Sequence, residues 1–336
     1  MKKILATVIM TIVLLSNVVL VSGNSSEMRN NIEGYVSLNY PSLTKQEQIE
    51  KAEEIYTERV SENEEDTSST KSDKDFIDVA YEKMMEREMY VVELINSLEP
   101  EETFFENWEY NLDYLIQNYE TLMSMENINK VYIDLYIEEY LAERDFRKVN
   151  SSQIFSQNAE GIRTLYGYEA AAAYAIQYAY DYNTAYPDWS IDYGGDCANF
   201  ISQCLYAGGK PMVGTPGSSA QATNMSNWFS SGTSASTSYV SSTWRGANAF
   251  KVYWTSNCTS YSTFSSMNSN AWFYGNKGDA VSLLNANGAA YHTLMIVGYG
   301  GNASYDFTVA AHTYDTNTAS LSDYTATGGF IIYNMR

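Results

Sequence analysis

The stretch Gly194-Gly195-Asp196-Cys197-Ala198-Asn199-Phe200 combines a glycine pair with the start of an apolar helical pattern, which Gly208 and Gly209 end. It predicts a helix that begins at Asp196 or Cys197. The free N–H groups and the positive dipole end of a helix start stabilise anions, so a thiol there loses its proton more readily. The same N–H groups can hold an oxyanion during acyl transfer. The alternative is an ordinary buried cysteine beneath a glycine turn.

Four β-rich segments follow this helix, separated by turns that contain Gly or Asn; they lie at residues 279–284, 291–299, 305–313 and 330–334. Helices followed by antiparallel strands predict an α+β fold. The chain has only two histidines, His292 and His312, and both fall in these segments. His292 alternates with apolar residues, so it is either a satisfied core histidine or a base facing a cleft. A cysteine at a helix start needs a base, which favours the second interpretation.

A third polar group is expected to orient the imidazole of His292. His312 can do so if its strand pairs with the His292 strand, and Asp315 and Asn317 are the alternatives. A zinc site built from Cys197 and the two histidines competes with this hypothesis, but the close ligand pairs typical of zinc are missing. The sequence therefore predicts no metal and no cofactor, and it contains no phosphate-binding loop or G-x-S-x-G elbow.

The chain has three cysteines, so they cannot all pair with one another. Cys204 lies two turns from Cys197 on the predicted helix, which is too far for a disulfide between them. Cys204 is interpreted as core, and Cys258 is either its partner or a free thiol.

A set of motifs in the C-terminal half resembles the putative amidase domain of Gram-positive exported proteins over residues 159–336. The motifs are Tyr168-x-x-Ala171-Ala172, Tyr182-Asn183-x-x-Tyr186-Pro187, Gly194-Gly195-Asp196-Cys197-x-Asn199-Phe200-x-Ser202-Gln203-x-x-x-Ala207-Gly208-Gly209, Gly278-Asp279, His292-x-x-x-Ile296-Val297 and His312-Thr313-x-Asp315. They are also similar to those of papain-like wall hydrolases of the NlpC/P60 type.

The resemblance implies a papain-like fold in which Cys197 is the nucleophile, His292 the base and His312 the third catalytic residue. It implies an orienting role for Asp196 beside the nucleophile. Ala198 departs from the family, which commonly has threonine or serine there, and this affects helix capping more than catalysis.

The N-terminus has the layout of a secretory signal peptide: two lysines, an apolar run over residues 4–21 and a small-residue exit, with cleavage expected after Gly23. A permanent anchor is the alternative, but polar residues interrupt the run and no basic cluster follows. No other segment is apolar enough to span a membrane. The chain is thus predicted to be secreted, and the resemblance to wall hydrolases implies that it is associated with the cell wall.

Residues 24–158 are predicted to form an acidic, mainly helical region with a linker at about 61–73. Residues 1–150 carry a net charge of −17 and residues 151–336 a net charge of −4. Such an acidic chain is repelled by nucleic acid, which we exclude as a partner. Export and the resemblance to wall hydrolases imply that the substrate is a peptidoglycan peptide or another extracellular peptide. A non-catalytic wall-binding protein, which the 30 tyrosines and 6 tryptophans would suit, is the alternative. The sequence carries no signature of an oligomeric state.

Overall fold

A computed structural model describes residues 29, 32–37, 40–65, 78–99, 102–152, 166–190 and 195–336. The chain divides into two compact units, Met1–Ser72 and Asp73–Arg336. The first contains a helical segment at residues 32–37 and helix α1 (Lys45–Glu65). The predicted signal peptide lies outside the described residues. Residues 61–65 of the predicted linker belong instead to helix α1, and the rest of the linker lies outside the described residues. Within the described ranges, no helix has the length and apolarity that a membrane span requires.

The second unit begins with a helical layer. It consists of α2 (Val79–Leu98), a 3-10 turn (Phe105–Asn107), α3 (Trp108–Gln117), α4 (Tyr119–Ser124) and α5 (Lys130–Ser152). Apolar side chains at helical spacing pack between these helices; they include Val91, Ile95, Trp108, Leu112, Leu115, Ile133 and Tyr140. Helices α3 and α4 are separated at Asn118, which ends the first and precedes the second. The Asn118 side chain donates to the Tyr114 carbonyl at 3.0 Å, which competes with continuation of the helix.

Six further helices precede or interrupt the strands. They are α6 (Tyr168–Tyr178), α7 (Cys197–Ala207), α8 (Ser219–Ala222), α9 (Ser242–Arg245), α10 (Ala247–Asn257) and α11 (Ser269–Tyr274). Helix α7 begins at Cys197 and ends before Gly208, which confirms the predicted bounds. Gly209 follows with φ +93°, a left-handed conformation that a residue with a Cβ rarely adopts.

One antiparallel sheet completes the unit. Its strands are β1 (Ser260–Phe264), β2 (Ala280–Leu284), β3 (Ala290–Tyr299), β4 (Phe307–Ala311), β5 (Thr316–Ser320) and β6 (Phe330–Asn334), in the spatial order β1-β6-β2-β3-β4-β5. The α+β prediction is therefore confirmed. Strands β1 and β5, which the sequence did not predict, are the two edges of the sheet. Edge strands pair on one side only and can be mostly polar, so their hydrophobic pattern is weak.

Buried polar contacts join the helical layer to the sheet. The Lys251 ammonium on α10 pairs with the Glu143 carboxylate on α5, and both side chains are nearly inaccessible. Lys251 also donates to the Gly288 carbonyl at 2.6 Å, in the hairpin between β2 and β3. Asn248 donates to the Glu139 carbonyl at 2.7 Å and accepts from the Ala290 N–H at 2.9 Å. These contacts fix helix α5 against the strand that carries His292.

We expect Lys251→Met to lower the free energy of unfolding by about 3 kcal/mol, because it leaves a buried carboxylate without its ammonium partner. Urea denaturation measures this loss. Asp145→Asn is the control: it breaks an exposed pair with Lys148, and such pairs contribute about 0–1 kcal/mol. Equal effects of the two substitutions would contradict a structural role for the buried pair.

Candidate active site

The chain enters helix α7 through a tight contact with the segment that follows β4. Gly195 has φ +140°, and a Cβ there would lie 2.7 Å from the Thr313 hydroxyl oxygen. That hydroxyl accepts a hydrogen bond from the Asp196 N–H at 3.2 Å. Thr313 itself has φ 83°, which is rare for a β-branched residue. Strained backbone of this kind persists where the surrounding structure holds it, often at functional sites.

The Asp196 carboxylate joins three segments of the chain at the start of α7. Its Oδ1 accepts from the Trp189 N–H at 3.0 Å and from the Asn199 side-chain amide at 2.8 Å. Its Oδ2 lies 2.7 Å from His312 Nδ1. Asp196 occupies the N-cap position, yet its side chain makes no capping hydrogen bond to the helix. The N–H groups of the first turn are therefore not used by their own cap.

Cys197 and His292 line one cavity of about 360 Å³. Cys197 is 7% exposed and His292 is fully buried. Neither ring nitrogen of His292 hydrogen-bonds to any described residue. The first interpretation of His292, as a core histidine whose ring nitrogens are hydrogen-bonded, therefore does not apply. A buried imidazole without partners is costly and calls for a functional explanation.

The electrostatics of the two side chains favour neutral forms. Burial lowers the pKa of His292 to about 3. Burial also raises the pKa of the Cys197 thiol, although neighbouring Thr293 and the Ala198 backbone act in the opposite direction. Desolvation thus outweighs the helix start, contrary to the expectation from sequence that the thiol loses its proton readily. The resting pair is a neutral thiol and a neutral imidazole.

The strand of His292 does pair with the segment that leads to His312, since β3 and β4 are antiparallel neighbours. In that register Met295 lies opposite Ala310, so counting onward places His312 opposite Thr293 rather than opposite His292. Successive residues of a strand point to opposite faces. His312 therefore lies on the α7 side of the sheet, on the face opposite to that of His292.

The contacts of His312 agree with this placement. Its Nε2 lies 2.8 Å from the Tyr178 carbonyl oxygen, and its ring stacks on Phe200 at 3.8 Å. Both ring nitrogens are thus engaged away from His292, and the expected hydrogen bond between the two histidines is absent among the described contacts.

The remaining candidates also lie away from His292. The Tyr182 hydroxyl donates to Asp315 at 3.3 Å, and Asn317 donates to the Ile176 carbonyl at 3.3 Å. All three cysteines are free. Cys204 is fully buried, as the core interpretation predicted, and Cys258 is partly exposed.

The opposite wall of the cavity comes from the helical layer; the sequence predicted these helices but did not decide whether they cover the cleft, target the protein or dimerise. Helix α2 contributes Ala80, Met84 and Arg87, and α5 contributes Tyr132 and Leu135. The spacing of the α2 residues is that of any helix packed on a core, so the sequence held no signal that would separate a cleft wall from a core face.

Helix α2 is held on the cavity at its first turn. Asp78 Oδ1 accepts from the Tyr81 N–H at 3.0 Å, which caps the helix. Its Oδ2 accepts from the Thr325 N–H at 3.0 Å and from the Tyr291 hydroxyl at 3.2 Å. Tyr291 precedes His292, so the cap of α2 is bonded directly to the strand of the candidate base.

The lowered pKa of His292 predicts a contribution to acid sensitivity. In the unfolded chain His292 binds a proton below its ordinary value of about 6.5, whereas the folded protein resists protonation down to about pH 3. The contribution of His292 to the free energy of unfolding is therefore fully present above the pKa of the unfolded chain. As the pH falls below that value, the contribution decreases by about 1.4 kcal/mol per pH unit.

Urea denaturation from about pH 6 to about pH 4 checks this slope in the wild type and in His292→Gln. Buried Asp279, whose pKa is raised to about 7 by burial, contributes with the opposite sign in both proteins, so the difference between them isolates His292. Identical slopes would contradict a buried neutral imidazole.

Comparison with known proteins shows the family of the chain. The model of the family described as putative amidase domain matches residues 165–333, half of the chain. No curated protein and no solved structure matched. The matched residues include Cys197 and His292, and the chain belongs to the putative amidase domain family.

Proposed function

We propose that the protein is a secreted, cysteine-dependent amidase or peptidase that hydrolyses amide bonds of peptides, with cell-wall peptides as the substrate class. The family suggests amide hydrolysis. The observation that carries the cysteine mechanism is the partnerless imidazole of His292 on the wall of the cavity that also contains Cys197. We also propose a papain-like fold. In this chain, as in papain-like hydrolases, a cysteine at the start of a helix is followed along the sequence by a histidine on a strand.

The reaction begins with attack of the Cys197 sulfur on the amide carbon. The resting pair is neutral, so His292 has to take the thiol proton during this attack. Because His292 lies on the sheet face away from α7 and no hydrogen bond joins it to Cys197, this proton crosses the cavity that both side chains line. The N–H groups of the first turn of α7, which Asp196 leaves uncapped, face the negative charge that forms on the carbonyl oxygen. His292 then gives the proton to the leaving amine, and a thioester remains on Cys197. Water hydrolyses the thioester and restores the thiol.

The helical layer gives the substrate its second wall. A peptide in the cavity lies between the start of α7 on one side and helices α2 and α5 on the other. Lys83, Glu86 and Arg87 of α2 lie on that wall, and Arg87 is paired with Glu139 of α5, so the wall carries charges of both signs.

We expect Cys197→Ser to lower kcat/KM for amine release from wall peptides by at least about 1,000-fold without a change in Tm, since it removes the attacking sulfur. Cys258→Ser is the matched control, because it replaces a thiol that does not line the cavity. Full activity of the Cys197 variant would exclude the mechanism. A wild-type protein that binds wall peptides and releases no amine would support the wall-binding alternative.

The N-terminal cap of α2 is expected to limit the access of reagents to the Cys197 thiol. Asp78→Ala removes the acceptor that holds the first turn of α2 to Tyr291 and Thr325. We expect iodoacetamide to label Cys197 about three- to tenfold faster in this variant, since a lost cap costs about 1 kcal/mol locally. Glu82→Ala, an exposed position in the same turn, is the control. Unchanged labelling would show that α2 does not limit access.

A further inference from the structure

Asp196 and His312 form a buried pair in which the hydrogen bonds restrict where protons can be. Both side chains are almost fully inaccessible. His312 Nε2 lies 2.8 Å from the Tyr178 carbonyl oxygen. A carbonyl oxygen only accepts hydrogen bonds, so Nε2 carries a hydrogen.

The second contact, His312 Nδ1 to Asp196 Oδ2 at 2.7 Å, needs a hydrogen of its own. If Asp196 is ionised, its oxygen can only accept, and Nδ1 must carry the hydrogen. If Nδ1 is bare, Asp196 must be the protonated partner. In either arrangement the pair holds one shared proton and has no net charge.

This pair borders the candidate nucleophile, because Asp196 immediately precedes Cys197. A bare carboxylate at this position disfavours the thiolate, and Asp196 acts on the thiol in that direction. The rings of Phe200, at 3.8 Å, and Tyr182, at 4.1 Å, stack on His312 and keep the imidazole in place.

We propose that His312 is a positioning residue that acts through Asp196: by sharing its proton, it cancels the carboxylate charge beside Cys197 and holds that carboxylate away from the N–H groups of α7. The proposal rests on the proposed role of Cys197 as nucleophile. It gives His312 a part in the site without any contact to His292.

Other ionisable groups also border the thiol and remain constant in the test. They are Lys83, Glu86 and Arg87 on α2, Glu138 and Glu139 on α5, Arg245 on α9, Tyr291 and His292 on β3, and Tyr324 after β5.

The test compares the wild type, His312→Gln, Asp196→Asn and the double variant in the full chain. The probe is iodoacetamide, and mass spectrometry follows labelling of the Cys197 peptide at about pH 8, where the rate reports the thiolate fraction. Asp196→Asn keeps an acceptor for Trp189 and Asn199 and gains an amide N–H for His312, so it removes the charge while keeping the hydrogen bonds.

We expect His312→Gln to label about tenfold more slowly than the wild type, which corresponds to one pKa unit of the thiol. Asp196→Asn and the double variant should label within about twofold of the wild type, because neither contains the bare carboxylate. Rescue by the second substitution is the signature of charge compensation. If His312 has a purely structural role, the labelling rate of the double variant stays as low as that of His312→Gln. That outcome would overturn the proposal.

No change in His312→Gln would overturn it as well. Thermal unfolding of each variant identifies a loss of fold: if His312→Gln unfolds at the assay temperature, His312→Asn replaces it in the same comparison. Labelling needs no substrate, so its result is independent of the activity of Cys197→Ser, which tests the proposed function separately.

Discussion

The carboxylate of Asp196 connects the start of helix α7 to the segment before it and to the end of strand β4. Its two oxygens bind the Trp189 N–H, the Asn199 amide and His312. Without these bonds a buried carboxylate would be strongly unfavourable, and the junction that presents Cys197 would lose its position. The close packing of Gly195 on Thr313 depends on the same junction. The location of the candidate nucleophile relative to the sheet therefore follows from one polar group.

Burial decides the chemical state of the site. The start of a helix favours a thiolate, but the cavity is closed on its second side by α2 and α5, and desolvation favours the uncharged forms of both Cys197 and His292. Proton transfer coupled to attack is the mechanism that suits such a pair. Under the proposed function, access of water and substrate to the cavity, rather than a preformed ion pair, controls when the site reacts.

The helical layer forms part of the candidate active site, because its helices α2 and α5 line the cavity that contains Cys197 and His292. The buried pair of Lys251 and Glu143 joins α5 to α10, and the cap of α2 is bonded to Tyr291 beside the candidate base. Both connections use charged or polar side chains that are buried, and such groups specify one arrangement because only that arrangement satisfies them.

Much of this protein was readable in its sequence. The helix that begins at Cys197, four of the six strands and the α+β class follow from local periodicity, glycine stops and alternation, which are properties of consecutive residues. The sequence also supplied the candidates for nucleophile and base, because it contains one cysteine at a predicted helix start and only two histidines. Only the tertiary structure decided that His312 binds Asp196 instead of approaching His292, and that α2 forms the second wall of the cavity. Strand register determines which face a side chain occupies, and burial determines its charge; both depend on residues far apart in the chain, which local patterns do not encode.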